Sequence, residues 1–184
     1  MGLSTIEMEN FYEAEIRLQM ENHHSASYGW ALSCCSYNET EAKDVLQNVY
    51  VKVLEGRARF KGRSSFKTWL FAVIRNTAAD ERRRRWLRFI GLAKYANERA
   101  TDTQALEDEE LEDKSEMSKR LKIELARLSR RQQEVLHLVF YQEMTLEAAA
   151  SVMGLSIGSA RTHYERGKNN LRKFLTATEG FNER

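Results

Sequence analysis

Proline is absent from all 184 residues. Proline normally marks turns, strand edges and helix starts. Its absence, beside abundant Leu, Ala, Glu, Arg and Lys, predicts an all-α chain. Cysteine is nearly absent too: Cys34 and Cys35 are the only two, and they are adjacent. Neighbouring cysteines make poor structural disulfides, so they are expected as buried thiols of a reducing compartment, which makes the cytoplasm the default location. No apolar run is long enough to span a bilayer, so no membrane insertion is expected. The first residues, MGLSTIEMENFYEAE, lack the basic start and apolar core of a secretory signal.

Catalytic constellations are scarce as well. The paired carboxylates of a nuclease are missing, and no phosphate-cradling glycine loop occurs. His23, His24, His137 and His163 show no ligand spacing with cysteines or acids, so no metal and no cofactor are expected. Ser64 and Ser65 lie near Lys61 and Arg63 without an orienting base. The chain reads as a binding protein and not as an enzyme.

What is present is charge in blocks. Residues 57–88 hold eleven lysines and arginines against two acids, and residues 102–116 hold eight acids against one lysine. Residues 119–173 hold eleven cations against five acids. Two basic blocks around an acidic connector suggest two nucleic-acid-binding modules and a linker. The acidic stretch 101–116 is poor in large apolar residues and is expected to be flexible.

The first basic block interleaves aromatics (Phe60, Phe66, Trp69, Phe71, Trp86) with cations (Lys61, Arg63, Lys67, Arg75 and Arg82 to Arg85). Rings stack on unpaired bases and cations neutralise phosphates, a mixture suited to single-stranded or melted nucleic acid. The same residues also fit a plain helix whose Trp69, Leu70, Val73, Ile74 and Thr77 face a core. Asn76 and Asp80 share a face, and Asp80 is one step from pairing with Arg84.

Helix signals order the rest. One helix is expected over 6–36 with a break near His23-His24-Ser25. Its apolar positions include Phe11, Tyr12, Ile16, Leu18, Met20, Trp30 and Ala31. Thr40 is expected to cap a helix from Glu41 to Leu54, with Val45, Leu46, Val49, Val53 and Leu54 on one side and Gly56 ending it. Ser65 is expected to cap a helix ending at Trp86, followed by a remnant packing Leu87, Phe89, Ile90 and Leu92. Ser129 and Gln132 form a capping-box pattern that opens a helix to Tyr141. Thr145 caps Leu146 to Met153, Gly154 turns, and Ser156 caps a final helix to about Phe174. Ala149, Ala150, Met153, Leu155 and Ala160 form a small interior, and a Cβ at Gly154 is expected to push the two helices apart. That is a helix-turn-helix pattern. Its second helix would offer Ser156, Gly158, Ser159, Arg161, Thr162, Glu165, Arg166 and Lys168 to a major groove, with Arg161 able to fork onto guanine. The expected fold is two small helical domains joined by a flexible acidic linker: 6–88, a linker over 89–118, and 119–176.

Three motifs carry a family resemblance. Residues 42–50 (AKDVLQNVY) look like an Asp-Leu-x-Gln-x-x-Phe helix. Residues 60–85 contain Phe-Lys-Thr-Trp-Leu at 66–70 and Arg-Asn at 75–76, followed by Asp80. Residues 128–171 hold the helix-turn-helix. In this order and spacing the chain resembles the two-domain bacterial sigma factors of the extracytoplasmic-function group. The resemblance implies binding to core RNA polymerase, through the β′ clamp helices and the β subunit. Asp44, Leu46, Gln47 and Tyr50 are the implied docking residues. It implies melting and reading of a promoter −10 element by Phe60, Lys61, Arg63, Ser64, Ser65, Phe66, Lys67, Trp69, Arg75, Asn76, Asp80, Arg83 and Arg84. A pocket near Phe60 to Phe66, with Asn76 beside it, would hold a flipped base. The −35 element falls to the groove-facing residues above. An inhibitory anti-sigma protein is a further implied partner.

The chain departs from the family pattern in places. Asn48 replaces a common Glu. Ala148-Ala149-Ala150 replaces Glu-Ile-Ala, and Ser159 to His163 replaces Thr-Val-Lys-Ser-Arg. Gly167 replaces an Ala at a helix cost of roughly 0.5–1 kcal/mol. The alternative reading is a stand-alone helix-turn-helix regulator that binds duplex DNA by itself.

Overall fold

A computed structural model describes residues 5–95 and 123–179. The acidic stretch 101–116 lies outside them. Helices account for the described secondary structure, with no strand among these residues. Helix α1 (Thr5–Asn22) and α2 (His24–Cys34) are separated by a break at His23, the position the sequence marks. Of the α1 positions read as apolar face, Ile16 and Met20 are buried, whereas Tyr12 and Leu18 lie exposed; the Phe11 side chain lies outside the described residues. The turn after α2 places Ser36 and Tyr37 at φ 54° and 64°.

Helix α3 (Glu39–Leu54) starts two residues earlier than the sequence suggests, because Asn38 and not Thr40 is the cap. The Asn38 Oδ1 accepts the Glu41 N–H at 2.9 Å. Val45, Leu46, Val49 and Val53 are buried, but Leu54 stays exposed. Gly56 follows at φ 69°, as a helix stop requires.

Helix α4 (Phe66–Tyr95) is capped by the Ser65 Oγ, which accepts the Thr68 N–H at 3.2 Å. It was expected to end at Trp86, yet the arginine run does not break it, since arginine is a good helix former. Leu87, Phe89 and Ile90 therefore ride exposed on the extension and do not pack as a remnant; the Leu92 side chain lies outside the described residues. Helices α2, α3 and α4 enclose Trp30, Val49, Leu70, Phe71 and Ile74. The Trp30 indole stacks 6.0 Å from the Phe71 ring and donates to the Phe71 carbonyl at 3.0 Å.

Beyond residue 123, helix α5 (Arg130–Leu136) opens on the expected capping box of Ser129 and Gln132. It continues not as α-helix but as a π-helical turn, His137–Tyr141, in which the Gln142 N–H bonds the His137 carbonyl at 3.1 Å. Helix α6 (Leu146–Met153) is capped by Thr145. Gly154 turns at φ 63°, and α7 (Ile157–Glu179) follows. The Ser156 Oγ accepts the Ser159 N–H at 3.2 Å and so caps α7. A Cβ at Gly154 meets nothing within 4 Å, so glycine serves the left-handed turn and not helix contact. The close approach occurs at Gly167 instead. A Cβ there would stand 2.9 Å from Leu136 Cδ1 and 3.3 Å from Gln132 Cβ. The departure to glycine lets α7 lie on α5.

The two units are packed together. Helix α4 lies against α6, and one contiguous set of buried side chains runs from Ile16 to Met153.

Candidate nucleic-acid interface

The loop between α3 and α4 carries the first cluster. Phe60, Phe66 and Trp69 sit 5.2 to 5.4 Å from one another, ring centroid to centroid. Phe66 is buried, while Phe60 and Trp69 are half exposed, so these two side chains reach solvent in part. Lys61, Arg63 and Ser65 are exposed beside it and Ser64 is half buried. Two residues of the cluster escaped sequence reading. His23 stacks on Phe66 at 6.1 Å, and Tyr12 Oη donates to the Phe60 carbonyl at 3.1 Å. No local spacing marks either one, because the contacts span 43 and 48 positions. Burial, then the Lys67 ammonium, keeps the His23 pKa below its ordinary value.

Asn76 lies on α4 two helical turns beyond Trp69, about 10 Å at helical rise. Asn76, Asp80, Arg83 and Arg84 are exposed. Arg84 pairs with Glu81 at 3.3 Å and not with Asp80. Arg85 pairs with Glu41, tying α4 to the start of α3. The other two residues assigned here are turned elsewhere. Lys67 Nζ donates to the Gln142 carbonyl at 2.8 Å and Arg75 Nε donates to Glu134 at 3.0 Å, both across the two units.

On α3, Asp44 and Gln47 are exposed and Tyr50 is half buried. Tyr50 Oη lies 3.0 Å from His24 Nδ1. Leu46 is only 4% exposed, so here it packs in the core behind the exposed Asp44 and Gln47.

The second cluster is the start of α7. Ser156, Gly158, Ser159, Arg161, Thr162, Glu165 and Arg166 are all exposed, whereas Ala160 beneath them is fully buried against α6. Thr162 Oγ1 bonds the Gly158 carbonyl at 3.0 Å, and Lys168 is held by Glu165 at 3.6 Å and by the Tyr164 ring. The shape is a rigid, small-residue helix pair that offers one polar, cationic face.

Cys34 and Cys35 are buried. Burial raises both thiol pKa values, and for Cys34 the Glu134 carboxylate adds to the rise. They are poor nucleophiles and serve packing. His137 lies between the Trp30 and Tyr141 rings, and burial holds its pKa down at about 4.

An exposed aromatic–cationic loop and an exposed helix-turn-helix, on two helical units, define a DNA-binding protein with two separate contact surfaces. Comparison with known families agrees. Residues 20–88 match sigma-70 region 2, and residues 125–173 match sigma-70 region 4. The chain is 34% identical over 136 residues to the RNA polymerase sigma factor YlaC of Bacillus subtilis (strain 168), covering 73% of this chain and 78% of the relative. It is 28% identical over 166 residues to the ECF RNA polymerase sigma factor SigX of the same organism, covering 89% and 84%. Among solved structures it shares the fold of the sigma factor RpoE bound to the anti-sigma factor NepR of Bartonella quintana. That match has a TM-score of 0.67 and 22% identity over 88% of this chain and 97% of that one. CnrH bound to the cytosolic domain of CnrY gives a TM-score of 0.58 and 23% identity, covering 88% of each chain. The chain belongs to the ECF sigma factors, which bind core RNA polymerase and direct promoter-specific transcription initiation. Among the described residues no helix is long and apolar enough to cross a membrane.

Proposed function

We propose a division of labour within that activity. Phe60, Phe66 and Trp69, with Lys61, Arg63, Ser64 and Ser65, receive unstacked bases and backbone of the −10 element. Asn76, Asp80, Arg83 and Arg84 continue the track along α4, and Lys67 and Arg75 join it once freed from the C-terminal unit. The first turns of α7 read the −35 element in the major groove, with Arg161 on a base edge and Arg166 and Lys168 on phosphates. Asp44, Gln47 and Tyr50 dock on polymerase. The observation that carries this reading is the exposed aromatic–cationic loop beside α4, which duplex binding alone does not need.

The protein adds no catalytic group of its own and works in the cytoplasm, where core polymerase is. An anti-sigma protein is its natural inhibitor, as the bound states of the two structural neighbours suggest. Run-off transcription with core polymerase on fragmented genomic DNA tests the reading. Discrete transcripts sharing two upstream elements are expected. Tight, sequence-specific duplex binding by the protein alone, with no transcripts, would establish a conventional regulator instead.

A further inference from the structure

His23 and His24 stand side by side at the break between α1 and α2, yet they serve different neighbours. His24 Nδ1 meets the Tyr50 hydroxyl on α3 at 3.0 Å. The His23 ring goes to the aromatic loop, where it lies 6.1 Å from the Phe66 ring and within 17° of parallel. The break interrupts no backbone bonding at this residue. The His23 N–H reaches the Gln19 carbonyl at 3.2 Å, and the His23 carbonyl accepts the Ser27 N–H at 2.8 Å.

Tyr12 reaches the same loop from α1. Its hydroxyl donates to the Phe60 carbonyl at 3.1 Å, although its side chain is 45% exposed and adds little to the core. The loop backbone is otherwise held near its ends: the Ala58 N–H bonds the Lys52 carbonyl at 2.9 Å, and Ser65 caps α4. Among the described residues nothing else from outside the loop bonds its backbone between Phe60 and Ser64.

Aromatic faces accept every base, because every base has a π-face. Choosing among four bases takes a donor or acceptor at the base edge. The nearest hydroxyls are already engaged: Ser64 Oγ donates to the Ser65 carbonyl, and Ser65 Oγ bonds Thr68. His23 is different. It is half buried, it hydrogen-bonds to none of the described residues, and neither ring nitrogen is a buried orphan, so its polar edge reaches solvent. Burial, then Lys67, keeps it neutral at pH 7, with one donor and one acceptor to offer. We infer that the α1–α2 junction belongs to the −10 reading site: His23 is a specificity-determining residue that hydrogen-bonds the edge of an extruded base held at the Phe60, Phe66 and Trp69 rings, and Tyr12 is the positioning residue that fixes the loop carrying Phe60. This rests on the base-receiving role proposed for that loop.

The test uses the full chain with core polymerase, on a promoter found by run-off transcription with each of the four bases placed in turn at each −10 position. Limited trypsin digestion of the full chain reads the loop directly at Lys61 and Arg63, and circular dichroism reads the helix content of every variant. Tyr12→Phe deletes one hydroxyl. It is expected to speed cleavage at Lys61 and Arg63 about fivefold and to lower transcripts from all base variants in similar proportion. His23→Phe keeps a flat ring and loses both nitrogens. It is expected to leave cleavage unchanged and to reduce discrimination at one −10 position about tenfold, with the other positions unmoved. His23→Gln, which keeps a donor and an acceptor, is expected to restore part of that discrimination. If His23→Phe loses helix content, His23→Leu takes its place. Unchanged cleavage or unchanged transcripts in Tyr12→Phe overturns the positioning role, and an unchanged base preference in His23→Phe overturns the contact. Phe60→Ala and Trp69→Ala separate this from the reading beneath it. If neither alters transcription or −10 preference, the loop receives no base and the His23 contact falls with it, while the cleavage rates still judge Tyr12.

Discussion

In the N-terminal unit the space between helices is filled by large rings and branched chains: Trp30, Phe71, Leu70 and Ile74, all essentially unexposed. In the C-terminal unit Val135, Leu138 and Val152 are buried as well, but the helix pair α6–α7 adds Ala149, Ala150 and Ala160, with Gly167 where α7 meets α5. The first design fills the space between its helices with rings and places a loop with exposed cations at their edge. The second brings helix backbones together and fixes one face rigidly. A surface that must receive unstacked bases benefits from a loop. A surface that enters a groove of fixed width benefits from a stiff helix pair. The comparison teaches that thickness of packing, and not only surface charge, separates the two tasks.

That contrast can be broken at four points. Trp30→Ala should cost the most, about 3–5 kcal/mol, because it empties the centre of the ring-packed unit and removes the indole's bond to the Phe71 carbonyl. Urea unfolding of the full chain measures it. Next comes pH. His137 is buried neutral with a pKa of about 4, below its ordinary 6.5. Between those values the unfolded chain binds a proton that the folded chain does not, so stability falls as pH drops through that window and is fully present above it. The Trp30 and Tyr141 rings and Gln142 Nε2 surround the imidazole, and none is a carboxylate that would rescue the cation. The loss should be on the order of 3 kcal/mol and should flatten in His137→Gln, read from urea midpoints at pH 7 and 4.5.

Smaller effects sharpen the C-terminal half of the comparison. Arg161→Ala should relax specificity at one −35 base pair by about 1–3 kcal/mol, seen as promoter-dependent transcript loss; equal losses on all promoters would assign Arg161 to phosphate. Gly167→Ala should destabilise by about 1 kcal/mol even though alanine is the better helix former, since its methyl group meets Leu136. A rise in the unfolding midpoint would show that α7 can step back from α5.

Local chemistry made much of the fold legible. The caps at Ser65, Ser129, Thr145 and Ser156, and the left-handed Gly154, act within three or four residues, so the sequence displays them directly. Asn38 and Thr40 are both cap formers two positions apart, and spacing could not rank them. The Ser156 to Lys168 face was legible because one turn signal places it. The far reach of α4 was not: nothing in a run of arginines says where a helix stops. Least legible was the seam between the two units. Lys67 and Arg75 read as nucleic-acid contacts and Glu134 gave no signal, because the pair Arg75–Glu134 is 59 positions apart. Leu46 carried two readings, an apolar-face position and a docking motif position, and its burial follows the first.

Helix α4 runs unbroken for 30 residues, about 45 Å. Mechanically it is a lever. Its root is set beside the aromatic loop, it rests on the C-terminal unit at Arg75 a third of the way along, and its exposed arginine-rich arm is tied to α3 at Arg85. An intact α-helix absorbs little bending, so force applied by a partner to the arm is delivered as torque at the root and at Arg75 together.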